Sequence, residues 1–196
     1  MTTVSLQFHP SRPPTAKFSL SGNVAYGPHQ DLTLQFELLG DVERLLTATP
    51  TTRPSRRDGL WQATCFEAFI RFEPDAGYRE YNFSPSGDWA IYDFSDYRSG
   101  MTPTDVAIAP KVSMERSSQR LFIEAHLDRS LLLLPKPSHN GGSPLRLGLS
   151  VILLETDGAM SFWALHHPTP TPDFHDSKGF CLSLPRAPQT FITQDL

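Results

Sequence analysis

Glu67 is the residue whose setting asks most of its surroundings. In Cys65-Phe66-Glu67-Ala68-Phe69-Ile70-Arg71-Phe72 the apolar Phe66, Ala68, Ile70 and Phe72 alternate, which puts Glu67 on the other face, between Cys65 and Phe69. A carboxylate with apolar neighbours needs a hydrogen-bonding partner or a ligand, because desolvating an unpaired charge is costly. Two readings stand side by side: pairing with Arg71 or a neighbouring strand, or a role facing a ligand. Asn82 and Ser84 share a strand face by the same arithmetic. An amide and a hydroxyl suit the recognition of sugar-like hydroxyls, with plain solvent exposure as the competing explanation. Trp61 and Trp89 stand beside turn residues, where an indole can lie open as a stacking platform for a sugar face or another ring. Core packing competes for each of them. Trp163, inside an apolar strand, is assigned to the core.

His166, His167 and His175, with Asp173 and Asp176, form the densest set of ligand-type side chains. Zinc and iron take such imidazoles and carboxylates. Adjacent His166 and His167 on a strand point to opposite faces, and the spacing matches no strong zinc pattern, so no metal site is expected. His167, Asp173 and His175 are expected instead as hydrogen-bonding groups of a site wall. No nucleophile elbow, phosphate-cradling loop or dinucleotide fingerprint occurs. Cys65 within a strand is expected to be an inert thiol. The acid–base option that survives is Glu67 with Asp173 or His167.

The elements that must position these groups have a period of two. Alternation is strong in 32–38, 65–72, 80–84, 121–127 and 145–154, and weaker strands are expected at 18–26, 89–94, 106–114, 161–166 and 180–184. Turn signals separate them: Gly27-Pro28, Pro74-Asp75-Ala76-Gly77, Ser86-Gly87-Asp88, Asn140-Gly141-Gly142 and Asp157-Gly158, the last the clearest hairpin. Helical hints are confined to 41–46 and 128–134. The expectation is an all-β, antiparallel β-sandwich of two sheets, immunoglobulin-like or jelly-roll-like, forming a single domain over 1–196 with its core at about 16–185.

Composition agrees. In 196 residues there are 18 prolines, which break helix interiors but sit well in turns and at strand ends. A net charge of −4 argues against nucleic acid as a partner, and Arg53, Arg56 and Arg57 fall in a loop-like setting. The nearly apolar run 147–154 is too short to span a membrane. Two cysteines provide no disulfide framework, and the N-terminal stretch carries no secretory pattern, so a cytoplasmic location is expected.

Three segments together resemble the bacterial DOMON-like proteins. They are Arg57-Asp58-Gly59-Leu60-Trp61-Gln62 running into Thr64-Cys65-Phe66-Glu67-Ala68-Phe69, then Asn82-Phe83-Ser84-Pro85-Ser86-Gly87-Asp88-Trp89, then Trp163-Ala164-Leu165-x-His167-Pro168 with Pro172-Asp173-Phe174-His175. The resemblance implies a β-sandwich related to family-nine carbohydrate-binding modules and to the haem- or sugar-binding DOMON superfamily, whose members are mostly ligand-binding modules. The expected function is therefore binding of a small molecule, a sugar or sugar-containing metabolite, at Trp61, Glu67, Asn82, Ser84, Trp89, His167, Asp173 and His175. Trp61, Glu67, Asn82 and Trp89 are expected to converge on one concave site. Two alternatives stay open: a lyase- or isomerase/cyclase-type enzyme using Glu67 as acid/base, and a haem-binding domain. Haem-binding relatives use axial Met and His, and Met101, Met114 and Met160 carry no motif that marks one as a ligand. No cofactor is expected, with haem or calcium as the ones left open.

Overall fold

Alternating burial organises the chain into strands. The structure, a computed structural model, describes residues 2–27, 29–72, 76–132 and 144–184. Its strands are β1 (Thr2–Phe8), β2 (Phe18–Tyr26), β3 (Leu32–Gly40), β4 (Cys65–Phe72), β5 (Tyr78–Phe83) and β6 (Trp89–Phe94), then β7 (Thr102–Pro103), β8 (Lys111–Arg116), β9 (Arg120–Leu127), β10 (Leu145–Leu154), β11 (Met160–Ala164) and β12 (Leu182–Leu184). All pair antiparallel in the order β7-β6-β5-β4-β10-β11-β1-β2-β3-β9-β8, with β12 also on β10. β1 joins two layers: Thr2 to Leu6 pair with β2, whereas Gln7 and Phe8 pair with Ala164 and Trp163 of β11. The sheet thereby curls so that one layer, β1-β2-β3-β9-β8, packs on the other, and the all-β antiparallel architecture expected from period-two patterning is what the chain adopts.

The core lies between the layers. Leu34, Phe36, Leu38, Ile123 and Ala125 face Phe66, Ala68, Ile70, Leu147, Leu149 and Val151, all essentially inaccessible. Phe36 and Phe66 meet across the interface with ring centroids 5.3 Å apart. Trp163 joins this core at 3% exposure, its indole N–H donating to Ser161 Oγ. β10 is buried on both faces over most of its length, because its second face carries the site described below.

Several local expectations shift. The 41–46 hint is a single 3-10 turn, Val42–Arg44, and the 128–134 hint is Arg129–Leu132, with 133 and 134 outside the described residues. The strand expected at 106–114 starts only at Lys111. β1 has no counterpart in the expectations, because its Thr and Ser positions dilute the alternation. Asp157-Gly158 does turn β10 into β11, with Gly158 at φ +85°, a left-handed conformation that glycine adopts without penalty. Asn140-Gly141-Gly142 lies outside the described residues, as do Pro28, Pro74 and Asp75 of two other expected turns.

Glu155, at the end of β10, ties the layers together from outside the core. It is fully buried and accepts from Thr15 N at 2.7 Å, Thr15 Oγ1 at 2.5 Å and Ala16 N at 2.9 Å, clamping the β1–β2 connection to the β10–β11 hairpin. The substitution removes three hydrogen bonds to a charged group and leaves a void at a fully buried position, so Glu155→Ala is expected to cost about 3 kcal/mol of unfolding free energy. Urea denaturation checks this; a change within about 0.5 kcal/mol, ordinary for a surface position, would contradict it.

Candidate functional site

The second face of β6-β5-β4-β10-β11 is not solvated. Strand register sets what it presents: Glu67 lies opposite Asn82 of β5 and Ser150 of β10, Phe69 opposite Glu80, and Ile152 opposite Phe162. Glu67 and Glu80 are thus diagonal neighbours across β4 and β5, a spacing at which side chains interact. A cavity of about 380 Å³ opens over this face. Glu67, Phe69, Glu80, Ile152 and Phe162 form its floor, Trp61 one wall, and Phe94, Arg98 and Met101 its rim. Pro172, Phe174 and His175 come over from the segment after β11.

That covering segment is held by packing at its far end. Phe180 is buried and stacks on Phe69 with centroids 5.8 Å apart and planes 18° apart. It fits because residue 148 is glycine: a Cβ there would stand 2.8 Å from Phe180 Cδ1. Asp176 caps the 3-10 turn Ser177–Gly179 by accepting from Lys178 N at 2.9 Å. The Trp61 wall is built similarly. Gly59 at φ +76° opens the turn Leu60–Gln62, and Asp58 accepts from Tyr92 Oη at 2.5 Å and Arg56 at 2.7 Å. The half-buried indole then stands edge-on to Tyr92, 5.9 Å between centroids.

The carboxylates dominate the electrostatics. Glu67 is 3% exposed and accepts from Ser150 Oγ at 3.1 Å. Burial, then the charge of Glu80, push its pKa well above the usual carboxylate range. Glu80, at 6% exposure, accepts from Asn82 Nδ2 at 2.7 Å; burial raises its pKa, against the opposing pull of Asn82 and Arg98. The Cys65 thiol donates to Asn82 Oδ1 at 3.6 Å, which orients the amide. Burial, with Glu67 next to it, pushes that thiol far from ionisation, in keeping with an inert cysteine.

At the rim, Arg98 joins three elements. Its guanidinium donates to Asp173 Oδ1 at 2.8 Å, its backbone N–H to Tyr78 Oη at 3.2 Å, and Tyr97 Oη donates to Asp173 Oδ2 at 2.5 Å. Burial would raise the Asp173 pKa, but Tyr97 and Arg98 hold it below its ordinary value. Arg98 pays in backbone strain, sitting at φ +49°, where a Cβ is crowded by about 1–2 kcal/mol. His175 Nδ1 shares a 2.7 Å hydrogen bond with Tyr78 Oη, and its Nε2 lies 3.8 Å from Glu80. Burial, then Arg98, lower the His175 pKa to about 4, leaving the ring neutral at pH 7.

Of the residues expected in the site, Trp61, Glu67 and His175 line the cavity, and Asp173 anchors its rim. Asn82 lies beneath it, fully buried between Glu80 and Cys65. Trp89 is a correction: it pairs with Phe83 and shares its face with Ile91, so its indole is in the core at 5% exposure, and Tyr92 and Phe94 take the site face. Ser84 is also displaced, its Oγ accepting from Ser86 N and Oγ inside a turn. His167 stands beside the cavity, bonded to Gln7 O at 2.8 Å and edge-on to His9. Glu80 escaped the expectation although it shares the Asn82 face by period two. Arg98 lies in a loop, where no periodicity could have marked it.

No protein-family model and no curated protein sequence matches the chain. Among solved structures, a "putative carbohydrate-binding protein" from Bacteroides uniformis superposes with a TM-score of 0.65 at 13% identity, covering 94% of this chain and 85% of that one. A family-nine carbohydrate-binding module from Caldicellulosiruptor kristjanssonii, in complex with glucose, superposes at 0.48 and 14% identity, covering 85% and 76%. The first of these likenesses shows a shared fold.

A carboxyl whose pKa rises on folding holds its proton more tightly in the folded state. Its contribution to stability is full below the unfolded glutamate pKa of about 4.3 and is lost as pH rises through the folded value. Glu67→Gln removes that loss. Its thermal midpoint is expected to exceed that of the parent at pH 8 by several degrees, with the gap closing toward pH 4.5. Scanning calorimetry at both pH values checks this; an equal gap at both would sink it.

Proposed function

We propose that the chain is a sugar-binding module, with one sugar ring entering the cavity against Trp61. The observation that carries this is the combination, in one cavity, of a half-buried indole and phenyl walls with two buried, pre-oriented acids, Glu67 and Glu80, and an exposed rim cation, Arg98, fixed by Asp173. Apolar walls with a few fixed polar groups are the usual division of labour in small-ligand sites, and the volume falls within their range of about 300–1,000 Å³. The fold shared with the Bacteroides protein, whose name states carbohydrate binding, supports the same reading. So do the DOMON-like motifs, since two of the three put residues on this site: Trp61 and Glu67 from the first, Asp173, Phe174 and His175 from the last.

The paired carboxylates favour a second reading, acid–base catalysis on the bound sugar. Two interacting carboxyls with raised pKa values in a cleft suit such chemistry. Glu67→Gln keeps the shape and removes the proton transfer, so loss of turnover with binding intact would establish the enzyme. Haem fits these residues poorly. Met101 and His175 both line the cavity, but His175 Nε2 is directed at Glu80, and an anionic porphyrin would meet two buried acids. Among the described residues, no three His, Cys, Asp or Glu side chains are grouped to hold a metal ion.

Titration calorimetry of the chain against a panel of hexoses, pentoses and their derivatives is expected to find a binder. Trp61→Ala is expected to weaken it about tenfold, or ~1.4 kcal/mol, with Trp89→Phe leaving affinity unchanged provided the fold is retained. A panel without a binder, or full affinity in Trp61→Ala, would overturn the reading.

A further inference from the structure

The charges around the cavity do not balance within it. Arg98 is held by Asp173 at 2.8 Å, so that cation is already matched at the rim. His175 is neutral and tied to Tyr78. What remains on the floor is Glu67 and Glu80, 3% and 6% exposed, whose hydrogen bonds come from neutral donors, the Ser150 hydroxyl and the Asn82 amide. Two adjacent carboxyls out of water cannot both ionise without a compensating cation. Trp61, Phe94, Phe162 and Phe174 line the same space, and aromatic rings attract cations by their quadrupoles. Neutral hydroxyls would satisfy hydrogen bonds here but would leave the charge of the pair uncompensated.

We propose that the ligand is an amino sugar, its ammonium group seated between Glu67 and Glu80. This rests on the sugar-binding reading and narrows it to sugars with a free, protonated amine. In the empty pocket the pair retains a proton; when the ammonium enters, the carboxyls ionise and that proton passes to solvent. The balance is one cation taken up for each proton released.

The other groups facing the pair keep a single charge state from pH 5 to 8. Cys65 on β4, Tyr78 on β5 and Tyr92 on β6, opposite Glu80, stay protonated, burial raising all three and Tyr78 to about 12. Arg98 stays charged, and so does Asp173, whose pKa is held below its ordinary value. His175, at about 4, stays neutral. A sugar's amine titrates in the α-amino range, about 7.7–8.0, so proton release at about pH 6, where the ligand is already an ammonium, reports Glu67 and Glu80.

Titration calorimetry of the intact chain in buffers of different ionisation enthalpy tests the proposal. The probes are glucosamine, galactosamine and mannosamine, their N-acetylated forms, the parent hexoses, and choline as a cation without a sugar ring. At about pH 6, where the amine is fully protonated, at least one free amino sugar is expected to bind about tenfold or more tighter than its N-acetylated and parent forms, with net proton release. Glu67→Gln and Glu80→Gln are each expected to erase most of that preference, and the proton release in the unmodified chain is a readout that needs no variant. Parent or N-acetylated sugars binding as tightly as the amines, or amines binding without proton release, would overturn the amine assignment and leave the sugar reading standing. Choline binding in the absence of any sugar binding, or no binding at all, would overturn both.

Discussion

Holding two carboxyl groups out of water on one face of a sheet is the constraint around which the site is arranged. An isolated buried carboxylate costs several kcal/mol, and a second one beside it adds repulsion. The chain meets this cost partly through neutral donors, Ser150 for Glu67 and Asn82 for Glu80. Arg98 supplies a more distant positive field, although its own guanidinium is fixed at Asp173. The compensation is incomplete, which is why both pKa values remain raised. A core built only for stability would place an apolar residue at position 67.

Curling the sheet through β1 makes such a face available. One side of β4 and β10 is committed to the core, where Phe66, Ala68, Leu147 and Leu149 pack against the other layer. The other side would be ordinary solvated sheet if the segment after β11 did not come back over it. Phe180 anchors that return on Phe69 and Gly148, and β12 then rejoins β10 at Leu145 to Leu147. The same strand thus carries the core, the cavity floor and the end of the cover. This explains the near-continuous apolar reading of β10, in which Gly148 and Ser150 are the small residues that leave room for Phe180 and serve Glu67.

Legibility in the sequence followed the physics of each part. Phe18–Tyr26 was readable because it has one buried face, which enforces period two, whereas Trp89–Phe94 is buried on both faces and was readable instead by its β-prone aromatics between turn signals. β1 was not, because it is the joint between layers and half its pairing depends on where β11 lies. Glu67 was legible because a charge among apolar residues is anomalous in one dimension; Glu80 was not, because Tyr-Arg-Glu-Tyr-Asn-Phe hides one acid among other polar residues. Trp89 misled for a related reason. Proximity to a turn says that an indole can be open, but the register with Phe83 decides which face it takes, and that is a pairing property absent from local sequence.

Arg98 shows how cavity and cover are coupled. Its left-handed backbone is unfavourable by itself and persists only because the bonds to Asp173 and Tyr78 outweigh the strain. Asp173 belongs to the covering segment, Tyr78 to β5, and His175, two residues from Asp173, bonds to the same Tyr78 hydroxyl. The loop after β6, the sheet and the cover therefore meet at one phenol and one carboxylate. Displacing the cover would release Arg98 from Asp173, relieve its backbone strain and expose Glu80 to water, which would favour the ionised form of that acid. Strain at the rim and the charge state of the floor are linked through the position of a single segment, so a ligand that compensates the floor also stabilises the closed rim.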